Sequence, residues 1–115
     1  MDERLEQTLL YDFYGELLTA HQQKIYEDVV FNDLSYSEVA KEQGVSRQGV
    51  YELIKRINRI LNEYEDKLHL VDQFLKTRKL AEEIHTLADS YLAGHDINDI
   101  HEIRRLSAEI MDLQN

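Results

Sequence analysis

From Val50 to Leu75 the apolar residues Val50, Ile54, Ile57, Leu61, Tyr64, Leu68, Val71 and Leu75 recur at steps of four and three without interruption. That spacing holds a stripe on one side of an α-helix, and no strand pattern reproduces it. Composition reinforces the constraint. The 115 residues contain no proline and only four glycines, so little in the chain punctuates a helix. A single helix over the seam would be about 39 Å long at 1.5 Å per residue. A compact domain of this size has a radius of gyration of about 13 Å. One continuous helix would therefore protrude and need a partner. A break between Asp66 and Asp72 would instead fold the second half back. Both arrangements satisfy the spacing.

The flanking segments also read as helix. Leu5, Leu9, Phe13 and Leu17 recur at i+4, with Leu10, Tyr14 and Leu18 widening the stripe, so a first helix is expected over Glu3 to Leu18. Gly15 interrupts it, either for a close helix crossing or as a weak point. Thr19 with Gln22 has capping-box spacing and starts a second helix through Ile25, Tyr26, Val29 and Val30. That helix is expected to stop near Asn32-Asp33. Ser35 with Glu38 repeats the box, with Ser37 a competing cap, and opens a short helix carrying Val39 and Ala40. Leu80, Ile84, Leu87 and Tyr91 extend the four-three pattern to Gly94. Asp96 or Asn98 caps a last helix through Ile100, Ile103, Leu106, Ile110 and Leu113.

The stretch from Leu34 to Ile57 carries the functional signal. Ala40 is small where two helices cross. Gly44 suits a left-handed turn residue. Val45 is expected to plug that turn into the core. Ser46 caps the following helix, and Val50 with Leu53 or Ile54 seats it on the previous one. This helix, short turn and helix form the spacing of a helix-turn-helix, which presents its second helix to the major groove. A plain helical hairpin has the same packing needs and stands as the alternative.

Charge is distributed to match. Residues 1–46 hold 3 basic and 10 acidic residues, net −7; residues 47–60 hold 4 and 1, net +3; residues 61–115 hold 6 and 12, net −6. The four cations of the second helix are Arg47, Lys55, Arg56 and Arg59, with Glu52 placed to pair with Arg56 at i+4. The candidate nucleic-acid contacts are Ser46, Arg47, Gln48, Tyr51, Lys55, Arg56 and Arg59. Arg47 and Gln48 sit at the helix start, where arginine matches the acceptors of guanine and glutamine those of adenine. Three or four phosphate contacts give a salt slope of about −3. Firm binders make roughly 6–10 contacts, so a monomer is expected to bind weakly and a two-fold dimer more firmly. A homodimer is expected, and its candidate oligomerisation residues are Ile57, Leu61, Tyr64, Leu68, Val71 and Leu75.

Other classes recede. With no cysteine, no disulfide framework exists and a reducing, cytoplasmic setting is expected. No run approaches the ~18 apolar residues of a membrane span, and Met1 to Glu6 is too polar and acidic for a signal peptide. His95, Asp96, Asp99 and His101 cluster near the last turn, but hinges and caps attract those residue types, and no metal or cofactor is expected. No phosphate-cradling loop or nucleophile elbow occurs, and no enzyme or small-molecule substrate is expected. Seven tyrosines against three phenylalanines read first as aromatic core and second as a surface for a protein partner.

Several segments together resemble the YlxM family: Tyr11-Asp12-Phe13-Tyr14, Leu17-Leu18-Thr19, Asp33-Leu34-Ser35, Glu38-Val39-Ala40, Val45 through Tyr51, Ile54-Lys55-Arg56 and Glu63 through Leu68. These are small helix-turn-helix proteins of Gram-positive bacteria, encoded beside signal recognition particle genes. The resemblance implies an all-α fold akin to region 4 of sigma factors, with a helical C-terminal extension. It also implies a regulatory or accessory role in the signal recognition particle pathway, with nucleic acid or pathway components as partners. The expected division is a helix-turn-helix domain over 1–62, with the motif at about 34–60, and a packing or dimerisation extension over 63–115. A dimeric DNA-binding transcriptional regulator is the first alternative. An interaction module using the motif only as scaffold is the second.

Overall fold

The computed structural model describes residues 3–114. Six α-helices run in order: α1 (Glu3–Tyr14), α2 (Ala20–Tyr26), α3 (Tyr36–Gln43), α4 (Arg47–Leu68), α5 (Leu70–Gly94) and α6 (Ile97–Leu113). No strand occurs among the described residues, so the fold is all-α and consistent with a region-4-like helix-turn-helix. The chain divides into two compact units, one up to His69 and one from Leu70. The boundary anticipated at 62–63 falls inside α4.

Side-chain caps set the helix starts. Thr19 Oγ1 accepts from the Gln22 N–H at 3.1 Å while Gln22 Oε1 accepts from the Thr19 N–H at 2.9 Å. Ser35 and Glu38 form the same reciprocal pair ahead of α3. Each box satisfies donors that a helix start otherwise leaves unpaired. Ser37 lies in the first turn of α3, past the cap.

In the first unit, α1 ends earlier than its apolar pattern. It stops at Tyr14 and tightens into a 3₁₀ turn over Gly15–Leu17. Glycine at 15 has a steric reason, because a Cβ there would lie 3.0 Å from the Tyr11 ring. That ring stacks on Tyr26 and tilts against Phe31, with centroids 5.4 and 5.3 Å away. The apolar stripe is also turned from its expected centre. Leu10, Tyr14 and Leu18 are buried, whereas Leu5 is 48% and Leu17 55% exposed. The stripe is broader than the surface it meets, so only its widening side reaches the core shared with α4.

Tyr14 and Tyr26 are buried in that core, Tyr11 is half-buried at its edge, and all three keep their hydroxyls satisfied. Tyr14 donates to Glu65 at 2.6 Å, Tyr26 to Asn58 Oδ1 at 2.7 Å, and Tyr11 to Glu27 at 2.7 Å. Burial pushes the Tyr26 hydroxyl up to about 12. The aromatic residues are thus mainly core, as an amphipathic ring with a partnered hydroxyl allows.

Beyond Tyr26 the second helix widens into a π turn over Glu27–Phe31. Asp28 within it is buried, and accepts from Lys24 Nζ at 2.9 Å and Asn32 Nδ2 at 3.2 Å. The bond from the Lys24 ammonium holds its carboxyl below the ordinary range. Its backbone oxygen also accepts from the Leu34 N–H at 3.0 Å, tying the turn to the start of α3.

The second unit is a helical hairpin of α5 and α6. Asp96 caps α6 by accepting from the Asn98 N–H at 2.9 Å, and Leu106 is its buried residue. Arg105 bridges Glu102 at 2.8 Å and Glu109 at 2.6 Å. The long seam does break. His69 takes a left-handed conformation, φ 57°, and its N–H bonds the Glu65 carbonyl at 2.9 Å. At the other joint the left-handed residue is His95, φ 58°, while Gly94 stays helical.

Candidate nucleic-acid interface

The turn between α3 and α4 is closed by backbone bonds. Gly44 is left-handed at φ 69°, with its N–H on the Lys41 carbonyl, and the Val45 N–H reaches the Ala40 carbonyl at 3.0 Å. This pair of bonds is a Schellman motif, which satisfies the last carbonyls of α3. Val45, expected to plug the turn into the core, does not do so. The backbone already closes the turn, and Val45 is 53% exposed, its Cβ near Gly49. No atom lies within 4 Å of a Cβ built on Gly44, so an alanine there meets only conformational strain. Gly44→Ala is expected to cost about 1–2 kcal/mol in urea unfolding, with Gly44→Asn recovering part of it.

The rest of the framework packs as its spacing requires. Val39 and Ala40 of α3 are buried, as are Val50 and Ile54 of α4, with Leu53 half-buried. Ser46 Oγ accepts from the Gly49 N–H at 2.9 Å. Its oxygen is therefore engaged in capping α4, although the residue is exposed.

With Val50, Ile54, Ile57 and Leu61 buried, the opposite side of α4 faces outward. Arg47, Tyr51, Lys55 and Arg59 follow at successive i+4 positions, all exposed, in a row that winds from beside the buried stripe at Arg47 to the side opposite it at Arg59. The row spans about 18 Å of helix. Gln48 and Arg56 flank it and are also exposed. Among the described residues no salt bridge engages Arg47, Lys55, Arg56 or Arg59. Arg4, Lys24, Lys76, Arg78 and Arg105 do have acidic partners, while Lys41, Lys67, Lys79 and Arg104 are likewise outside any salt bridge among the described residues. Glu52, expected to neutralise Arg56, instead accepts from Gln48 Nε2 at 2.9 Å. Six of the seven candidate contacts are exposed on α4, with Ser46 at its start, but Arg47 and Arg56, nine residues apart, point to opposite sides of the helix.

One neighbour of this surface has no local sequence signal. Tyr36, the first residue of α3, meets the Tyr51 ring edge-on at 6.0 Å. Together with Arg47 and Gln48 the two rings line an open recess of about 520 Å³. No periodicity links residues 36 and 51, and only the helix-turn-helix crossing brings them together.

The candidate oligomerisation residues scatter. Ile57 and Leu61 are fully buried in the first unit, and Tyr64 is half-buried and stacked on Tyr14 at 6.0 Å. Leu68 is 49% exposed at the end of α4, while Val71 is buried and Leu75 half-buried on α5. The seam is therefore not one stripe open to another chain. Its middle belongs to the core and its end lies beyond the left-handed His69.

No described helix is long and apolar enough to cross a membrane. His95 and Asp96, which cluster with Asp99 and His101 in the sequence, occupy the left-handed joint and the cap of α6.

Comparison with known proteins gives a consistent picture. The profile of UPF0122, described as YlxM/p13-like helix-turn-helix proteins, matches residues 1–103. A UPF0122 protein of Acetivibrio thermocellus is 37% identical over 114 residues, covering 98% of this chain and 97% of that protein. One from Caldanaerobacter subterraneus subsp. tengcongensis is 46% identical over 83 residues, 72% of this chain and 71% of its own length. One from Desulforamulus reducens is 36% identical over 104 residues, 90% and 89% of the two chains.

Proposed function

The chain belongs to the UPF0122 family of YlxM/p13-like helix-turn-helix proteins, and from that premise we propose that it is a non-enzymatic regulatory protein whose α4 contacts nucleic acid. The observation that carries this reading is the outward row of Arg47, Tyr51, Lys55 and Arg59, whose three cations have no acidic partner among the described residues. Cations spaced along an exposed row of a helix are suited to phosphate oxygens, and Arg47 with Gln48 to base edges. The acidic surroundings oppose indiscriminate binding, because residues 1–46 alone carry net −7.

The signal recognition particle pathway is the proposed setting, on the strength of the resemblance set out above. The dimeric transcriptional reading is weaker, because the burial of Ile57 and Leu61 removes the middle of the seam it requires.

The test is a salt titration of binding to pathway RNA, duplex DNA and the pathway's GTPases, side by side. Nucleic-acid binding that weakens with salt at a slope of about −3 to −4 supports the reading. Binding confined to a protein and nearly indifferent to salt replaces it with the interaction-module reading. Silence toward every partner at low salt removes both.

A further inference from the structure

The recess beside the start of α4 has two unlike walls. Tyr36 and Tyr51 give it an aromatic side, and Arg47 and Gln48 a polar one. Its volume of about 520 Å³ lies within the ~300–1,000 Å³ range of small-ligand sites. The aromatic side is pre-set, because the edge-on contact at 6.0 Å steadies both rings while leaving Tyr51 44% exposed. The polar side is pre-set as well. The 2.9 Å bond from Gln48 Nε2 to Glu52 orients the amide, leaving its carbonyl and a second N–H for a ligand.

We propose that this recess takes one unpaired nucleobase, its face on a tyrosine ring and its edge against Arg47 and Gln48. The inference rests on the nucleic-acid reading above and narrows it to an unstacked base. A base inside a duplex offers its edges to Arg47 and Gln48, but its faces are covered by its neighbours. Such a base leaves the tyrosine wall without a partner. A base in a loop, bulge or single strand engages both walls at once, as aromatic side chains do in single-strand recognition. Magnitude points the same way. Four cations on an acidic chain supply too few phosphate contacts for firm binding, whereas stacking adds affinity without adding charge.

The shared chemistry is an exposed base, from RNA or from single-stranded DNA. The experiment measures fluorescence anisotropy of the full chain with three labelled probes. These are an RNA hairpin with a purine-rich loop, the same hairpin in DNA, and a blunt DNA duplex. Tyr51→Ala and Tyr51→Leu are expected to weaken loop binding by about 5- to 150-fold, the span of one base–aromatic stack. Tyr51→Phe keeps the ring and should bind loops like the unchanged protein. Duplex binding should fall by a clearly smaller factor than loop binding in the alanine and leucine variants, because a duplex covers its base faces and leaves Tyr51 only edge and backbone contact. The leucine variant keeps apolar bulk against Tyr36, so its loss reports the ring rather than the fold, with the thermal midpoint as control. Loss on the RNA hairpin alone, or on both hairpins, supports the recess and shows whether the sugar is read. Equal losses on hairpins and duplex, or none on hairpins, overturn it while leaving nucleic-acid binding intact. No binding of the unchanged protein to any probe overturns this inference together with the reading beneath it.

Discussion

Ile57→Ala is expected to destabilise the first unit by about 2–5 kcal/mol. Ile57 is 0% exposed and lies on the buried side of α4 with Ile54 and Leu61. Removing three carbons there forfeits their transfer from water and leaves a cavity that tight neighbours fill only partly. Small domains are stable by about 5–15 kcal/mol, so the loss is a large fraction of the whole. Urea unfolding of the full chain, followed by far-ultraviolet circular dichroism, measures it. The same experiment separates core from seam. A residue buried in its own unit gives a loss that does not depend on protein concentration, whereas a residue buried against a second copy gives one that does. Ile57→Val should cost about 0.5–1.5 kcal/mol. A concentration-dependent loss would return Ile57 to an intermolecular seam.

The second large effect concerns charge. Replacing Lys55, Arg56 and Arg59 together by glutamine is expected to reduce the salt slope of nucleic-acid binding from about −3 or −4 to about −1. At 0.1 M salt the affinity should fall on the order of 100-fold or more. Glutamine keeps similar helix propensity, so α4 should remain formed. Because no described acid pairs with these three cations, their removal strands no carboxylate. The measured change therefore reports phosphate contact rather than a repaired or broken ion pair. An unchanged slope would mean that this row is not the contact surface.

How far the sequence led is clearest at particular residues. Thr19 with Gln22, and Ser35 with Glu38, were legible because a capping box is a local device with fixed spacing. Gly44 was legible because a left-handed turn residue favours glycine. His69 and His95 do the same job without that signature, so the sequence leaves open whether the helix continues past 66–72 and points to Gly94 rather than His95 at the last joint. Which side of α1 would be buried was not legible either. Seven apolar residues outnumber those the core accepts, and the choice depends on α4. The cations of the site could be read from charge clustering. Their freedom from Glu52 could not, because Gln48 and Arg56 stand at equal distance from it along the chain.

The hydroxyl bonds of Tyr11, Tyr14 and Tyr26 have a further consequence. Apolar helix faces tolerate sliding, since a greasy stripe shifted by one turn, about 5.4 Å, still meets grease. The bonds Tyr14 to Glu65, Tyr26 to Asn58 and Tyr11 to Glu27 join three different pairs of segments at single points. A slip of either early helix along α4 breaks a bond and leaves polar atoms stranded against the interior. The tyrosines thus act as keys as well as filling. They exclude the slipped packings that an all-phenylalanine core would accept, and they hold α4 at one fixed depth behind the surface it presents.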